Sequence, residues 1–287
     1  MTYIVHGATG AQGAPVVAAL RAAGKRPVAA VRTTANVPAD IESAAVDLAD
    51  VHSLVAAYTG ADGVFIHLPM GAPDQVAAYV DAITAAVEKA RPARVVISTS
   101  GGVVDQPGSP LQAPDDAPLT TLIRRITDTG IPTAVVAPRL YLENLLMPVI
   151  EGPARQDGVL RYPLPEAFPV SWSSHLDVAD VVVRLLEDPA VTGTVAIGHL
   201  PGLTGPDLAA GFAERLGRDV TFEAITPEAL GVLITPLFGA DASAPVVGLY
   251  KALNAQAGNT ISRGNSAQEL LGLAPRPISR WLGELGI

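Results

Sequence analysis

His6-Gly7-Ala8-Thr9-Gly10-Ala11-Gln12-Gly13 decides the fold class of this chain. The stretch follows the β-branched, strand-like run Tyr3-Ile4-Val5 and precedes the apolar helical pattern Val16-Val17-Ala18-Ala19-Leu20, so the order is strand, glycine turn, helix. Glycines belong here for a physical reason. The chain must reverse tightly and bring its N–H groups up to an anion at a helix N-terminus, where the dipole favours negative charge and a Cβ would obstruct the approach. Pro15 suits the first helical turn, where a proline breaks no hydrogen bond. The spacing is G-x-x-G-x-x-G rather than G-x-G-x-x-G. It is the strand-to-helix context that favours a dinucleotide pyrophosphate turn over an ordinary glycine-rich connection.

Outward from that turn, Pro27–Val31 reads as a second buried strand ending at Arg32-Thr33-Thr34. An acidic residue at such a strand end would bind a ribose 2′-OH, whereas an arginine accommodates a 2′-phosphate, so Arg32 favours NADPH, with NADH as the alternative. A third strand, Ser43–Val46, runs into Asp47-Leu48, and Asp50 caps a helix through Tyr58. Gly63–Leu68 is a continuous apolar run that includes His67, as expected of a parallel strand buried on both faces. A helix over Pro73–Lys89 and a strand over Arg94–Ile97 follow, and the latter ends in Ser98-Thr99-Ser100.

Strands alternating with helices predict right-handed crossovers and an α/β, doubly wound parallel sheet of the Rossmann kind. Ligands of such sheets bind beyond the carboxyl ends of the strands. The residues placed there as cofactor contacts are Gly7, Thr9, Gly10, Ala11, Gln12, Gly13, Arg32, Asp47, Leu48, His67, Leu68 and Ser98. For His67, donation to a main-chain carbonyl is the competing role.

Val103–Pro118 reads as a loop, Leu119–Thr129 as a helix and Thr133–Ala137 as a sixth strand, followed by Pro138-Arg139-Leu140-Tyr141-Leu142-Glu143-Asn144. Near residue 150 the alternation degrades. Short strands are expected at Val159–Arg161 and Phe168–Val170, and helices at Gly205–Leu216 and at Asp177–Glu187, the latter capped by Asp177. Pro227 and Pro236 punctuate the apolar stretch Ile225–Phe238, which predicts a broken helical cap rather than a long helix. The expected organisation is a dinucleotide-binding core over 1–150 and a mixed part over 151–287. That second part supplies late core elements and a smaller, mostly helical substrate-binding cap. Tyr162, Phe168, Trp172 and Phe238 are candidates to line an aromatic pocket, although such residues more often make core; His175 reads as structural.

Composition narrows the field. A chain of 287 residues with 49% hydrophobic and 16% charged residues can bury a core and is not disordered. A net charge of −9 argues against nucleic-acid and anionic-membrane partners. There are no cysteines, and the five histidines show no i, i+4 ligand pair, so disulfides and a metal site are not expected. Without a leader pattern or a membrane-length apolar run, a cytoplasmic protein is expected.

With these residues in place, the chain resembles the NmrA-like branch of the atypical short-chain dehydrogenase/reductases. The resemblance runs through Gly7–Gly13, Val31-Arg32, Asp47-Leu48 with Asp50 and Leu54, and Ser98–Ser100. It continues through Gly130-Ile131-Pro132, Pro138-Arg139, Glu143-Asn144, Asp177–Val181, Glu269–Gly272 and Pro275-Arg276. It implies a Rossmann core holding NAD(P) and a family that includes quinone and enone reductases, tailoring enzymes of secondary metabolism, and redox sensors without turnover.

One departure matters. In the wider superfamily a tyrosine is activated by a lysine four residues on, yet the residues four after Tyr3, Tyr58, Tyr79, Tyr141, Tyr162 and Tyr250 are Gly7, Asp62, Ile83, Leu145, Glu166 and Asn254. The lysine that many members carry before the Gly-Ile-Pro turn is also missing, and Pro118-Leu119 stands in its place.

The expectation is an NAD(P)H-dependent oxidoreductase acting on a small, hydrophobic quinonoid or conjugated aromatic carbonyl compound, with Ser98, Tyr141 and Asn144 at the reacting end. A non-enzymatic NADP(H) sensor, and a tailoring oxidoreductase or oxygenase of aromatic polyketide biosynthesis, are the alternatives. A homodimer is left open.

Overall fold

The computed structural model describes residues 1–287. The N-terminal half runs β1 (Thr2–His6), α1 (Gly13–Ala22), β2 (Arg26–Val31), β3 (Glu42–Ala45), α2 (Val51–Tyr58), β4 (Gly63–His67), α3 (Pro73–Ala90), β5 (Val95–Ser98), α4 (Pro118–Asp128) and β6 (Thr133–Pro138). The chain continues through α5 (Pro148–Gln156), β7 (Val159–Tyr162), α6 (His175–Glu187), β8 (Gly193–Ile197), α7 (Gly205–Leu216) and β9 (Thr221–Ala224). It closes with α8 (Pro227–Phe238), α9 (Ala240–Asn254), α10 (Ala267–Leu271) and α11 (Ile278–Glu284).

Seven parallel strands form one sheet in the order β3-β2-β1-β4-β5-β6-β8, and β7 and β9 form a separate parallel pair. The period-two alternation of a strand explains why the central runs are apolar throughout. Tyr3, Val5, Phe65, Val96 and Val136 point to the face covered by α1 and α6. Ile4, Val64, Ile66, Val95 and Ile97 point to the face covered by α2, α3 and α4. After β3 the chain returns to lay β4 on the other side of β1, so the order reverses beside β1. The crevice at that switch point receives the glycine turn.

A third core belongs to the C-terminal part and contains Tyr162, Phe168 and Trp172. These rings therefore pack rather than line a common pocket: Tyr162 meets both Trp172 and Tyr250 edge-on, while Phe238 stands apart, 56% exposed. The expectation of a shared aromatic chamber is corrected accordingly.

Three other expectations change. Phe168–Val170 is not a strand, because Val170 makes only isolated bridges, to Leu203 and Asn259. α6 begins at His175 with Ser174 as its cap. Asp177 is the third helical residue of a capping box, its carboxylate accepting from the Ser174 N–H. α8 is one continuous helix. Pro227 occupies its first turn, where no N–H is required, and Pro236 falls near its end, so the helix loses a hydrogen bond without breaking. No helix is long and apolar enough to cross a membrane.

Candidate functional site

The three glycines of the turn do different jobs. Gly7 has φ +57°, and a Cβ there would lie 2.4 Å from Nε2 of His67. Gly13 lets α1 start directly against the end of β1, since its Cβ would meet the Gly7 carbonyl oxygen at 2.3 Å. Gly10 is the open one, with only the Gly7 oxygen near, at 3.2 Å from its would-be Cβ. Gly10 N–H donates to the Gly7 carbonyl at 2.8 Å and closes the turn. The N–H groups of Ala11 and Gln12 donate to no protein acceptor, and no side chain caps α1. A helix N-terminus with free donors and a small-residue approach is what a pyrophosphate requires.

Beside it lies a cleft of about 360 Å³. Its lining brings together Gly7, Thr9, Gly10, Arg32, Asp47, Leu48 and His67, with Met70 added from the β4–α3 connection and Gln75 and Tyr79 from α3. Asp47 is held in place by accepting the Ala49 N–H at 2.9 Å, and Asp50 caps α2 through the N–H groups of His52 and Ser53. His67 lines this cleft, and its Nε2, buried against Gly7, has no hydrogen-bond partner in the protein. These residues fit a dinucleotide. Gly13, Gln12 and Ser98 lie outside the cleft lining, Ala11 is exposed on the turn, and Leu68 packs at the edge of the core formed with α2, α3 and α4.

Gln12 turns away from the helix it precedes and joins the strand ends. Its Oε1 accepts from Ser98 Oγ at 2.9 Å and from Tyr141 Oη at 3.3 Å, and its Nε2 donates to Ser100 Oγ at 3.0 Å. Ser100 adopts φ +53°, unusual for a residue with a Cβ, and its N–H donates to Ser98 Oγ. Backbone strain of this kind concentrates at functional sites. The turn and two strand ends are thus tied into one hydroxyl-rich cluster. Burial raises the Tyr141 phenol above its ordinary value, with Ser98 opposing and Glu143 adding, so in the resting site the hydroxyl is protonated and donates to Gln12.

Asn144 is not brought into this cluster. It lies instead against the buried hydroxyls of Tyr162 and Tyr250, where it counters the upward push of burial on both. Arg139 is fully buried and pairs with Asp105 at 2.6 Å, and Asp105 also accepts from Asn265 at 2.8 Å, which pins the β5–α4 loop to the edge of the sheet.

Two residues beside Tyr141 were not anticipated at the site. The His175 ring packs on the Tyr141 ring with centroids 4.3 Å apart, and Glu143 Oε1 accepts the main-chain N–H of His175 at 2.9 Å. Sequence offered one hint, the position of Glu143 two residues after Tyr141; nothing local places His175 there. Burial, with His67 adding, lowers His175 to about 4, and burial raises Glu143. On the other side of the turn, His6 shares a 2.6 Å hydrogen bond with the Tyr58 hydroxyl and is held down to about 3 by burial and, secondarily, by His67.

A parallel sheet with a glycine-rich turn at its switch point and a cleft along its carboxyl edge defines a Rossmann-type dinucleotide-binding protein. More narrowly, residues 1–282 match the model of the NmrA-like family, and the chain belongs to that family. It is 34% identical over 236 residues to an NAD(P)H azoreductase of Xenophilus azovorans, covering 78% of this chain and 77% of that protein. Among solved structures it resembles the triphenylmethane reductase of Citrobacter sp. complexed with NADP(H), with a TM-score of 0.80, 17% identity and 99% of each chain covered. An NADPH-dependent quinone oxidoreductase of Escherichia coli complexed with NADPH gives a TM-score of 0.74 at 18% identity, with 100% of both chains covered.

Proposed function

We propose that this chain is an NADPH-dependent oxidoreductase that reduces quinonoid, azo or other conjugated aromatic compounds. One observation carries the reading: Gln12 of the nucleotide turn is hydrogen-bonded to Ser98 and within reach of Tyr141, which joins the nucleotide cleft to a group of hydroxyl donors. The family membership and the azoreductase relative support it. The cofactor, when bound, supplies a hydride. Free N–H groups at the start of α1 would hold its pyrophosphate and Arg32 its 2′-phosphate.

Ser98 and Tyr141 orient the acceptor and hydrogen-bond the oxygen or nitrogen on which negative charge develops. Neither is a strong acid: no lysine stands four residues after Tyr141, and burial raises its phenol. Such a site suits acceptors that delocalise the new charge and disfavours simple ketones, whose reduction leaves a localised alkoxide.

The test follows the loss of reduced nicotinamide absorbance with a panel of quinones, azo dyes, enones and simple ketones. Turnover is expected with the quinones and azo dyes and near background with the ketones. Tyr141→Phe and Ser98→Ala should each slow turnover about tenfold or more, with nucleotide affinity nearly unchanged. Tight NADPH binding with no acceptor reduced would overturn the reading and favour a nucleotide sensor.

A further inference from the structure

Tyr141, His175 and Glu143 form a cluster of titratable side chains for which hydride delivery alone has no use. Glu143 Oε1 is occupied, accepting the main-chain N–H of His175 at 2.9 Å and Trp281 Nε1–H at 3.3 Å. Its Oε2 is buried without a hydrogen-bond partner and lies 3.9 Å from His175 Nδ1. The other flank of the imidazole rests on the Tyr141 ring, 4.3 Å between centroids and tilted by 53°. His175 keeps 13% of its side chain exposed, so water can exchange protons with it.

A carboxylate oxygen left bare in the interior is costly, and a proton shared with the adjacent imidazole relieves that cost. Groups facing the imidazole are few. Glu143 and Tyr141 come from the segment after β6 and His67 from β4, while Asp177 of α6 acts on Glu143 and is already paired with Arg276 at 2.8 Å.

We infer that His175, backed by Glu143, returns to Tyr141 the proton that this tyrosine gives to the reduced acceptor, in place of the absent tyrosine–lysine pair. The inference rests on the reductase reading above. In balanced form, the acceptor takes a hydride with its two electrons from the reduced cofactor and one proton from the Tyr141 O–H. The phenolate recovers a proton through one water from one imidazole nitrogen while the other nitrogen takes up a proton from solvent, so the ring stays neutral and Glu143, 3.9 Å from Nδ1, orients it. Cofactor is oxidised, acceptor is reduced, and one solvent proton is consumed. His175 and Glu143 touch no reacting atom and are positioning residues that act through Tyr141.

Two acceptors separate this role from a structural one. A benzoquinone needs a hydride and a proton, whereas a triarylmethyl cation dye takes the hydride alone and becomes neutral. In His175→Gln, and to a smaller degree in Glu143→Gln, the ratio of quinone to dye turnover should fall about tenfold. In His175→Ala, added imidazole should restore part of the quinone turnover. NADPH affinity monitors folding throughout, and His175→Gln carries the test should the alanine variant not fold. Wild type reducing both acceptors, with the ratio unchanged in His175→Gln and no imidazole rescue, overturns the relay alone. Wild type reducing neither acceptor overturns the reductase reading, and the relay with it.

Discussion

The two halves of the sheet's carboxyl edge are built differently. On the β1, β2 and β4 side the site is built on the main chain of the glycine turn, with side chains such as Arg32, Asp47 and His67 lining the cleft beside it. On the β5 and β6 side it is made of side chains that reach one another across long stretches of sequence, with Gln12 meeting Ser98 over 86 residues and Tyr141 over 129. The first half is local: a strand end, a turn and a helix start, each with its own composition. The second exists only because parallel crossovers set β1, β4, β5 and β6 side by side. A ligand whose anionic groups do not vary can be held by a fixed turn, whereas the reacting end can be rebuilt by exchanging a few side chains on the same frame.

That contrast can be broken most severely at Gly13. A Cβ there meets the Gly7 carbonyl oxygen at 2.3 Å and the His6 carbonyl oxygen at 2.7 Å, both backbone atoms that cannot step aside. Gly13→Val should lower unfolding stability by about 3 kcal/mol or more, read by urea titration. Gly10→Val meets one atom at 3.2 Å and should fold but lose NADPH affinity. Equal stability loss in the two variants would mean that the turn does not divide packing from binding in this way.

A smaller effect is expected at Arg32, which belongs to the lining of the nucleotide cleft. A charge-assisted hydrogen bond contributes ~1.5–3 kcal/mol, so Arg32→Ala should weaken NADPH binding roughly ten- to a hundredfold while leaving NADH nearly unchanged. Calorimetry with both nucleotides decides it; a wild type that binds NADH as tightly as NADPH would remove Arg32 from the assignment.

An effect absent at neutral pH and confined to acid lies beneath the turn. His6 is buried, and its folded value, about 3, is far below its ordinary 6.5. Above pH 6.5 neither state binds the proton and the group contributes no pH dependence. As pH falls below that value, the unfolded chain takes up a proton that the folded chain refuses. Stability should then decline by up to about 1.4 kcal/mol per pH unit until the folded value is approached. His175, held down to about 4, adds in the same direction. Unfolding free energies at successive pH values should therefore slope less steeply for His6→Asn than for wild type; parallel slopes would show that His6 protonates freely in the folded protein.

Sequence alone determined the Rossmann class, the strand–turn–helix at residues 2 to 22, and the first six strands to within a residue or two of their ends. It also placed Arg32, Asp47 and His67 together at the carboxyl edge of the sheet, where they line one cleft. These features are legible because each is written locally: apolar runs mark strands buried on both faces, and glycine marks a turn that a Cβ would block.

Only the tertiary structure decided the rest. β8 was missed because Gly193–Ile197 becomes a sheet member only by pairing with β6, from which it is separated by a long excursion of the chain. Tyr162 and Trp172 became core rather than pocket, and Gln12 became the link between turn and hydroxyls, because their partners lie far away in sequence. His175 reached Tyr141 by starting α6 where the chain re-enters the sheet edge. A side chain's partner across 30 or more residues is set by strand order and crossover geometry, and no run of neighbouring residues records either.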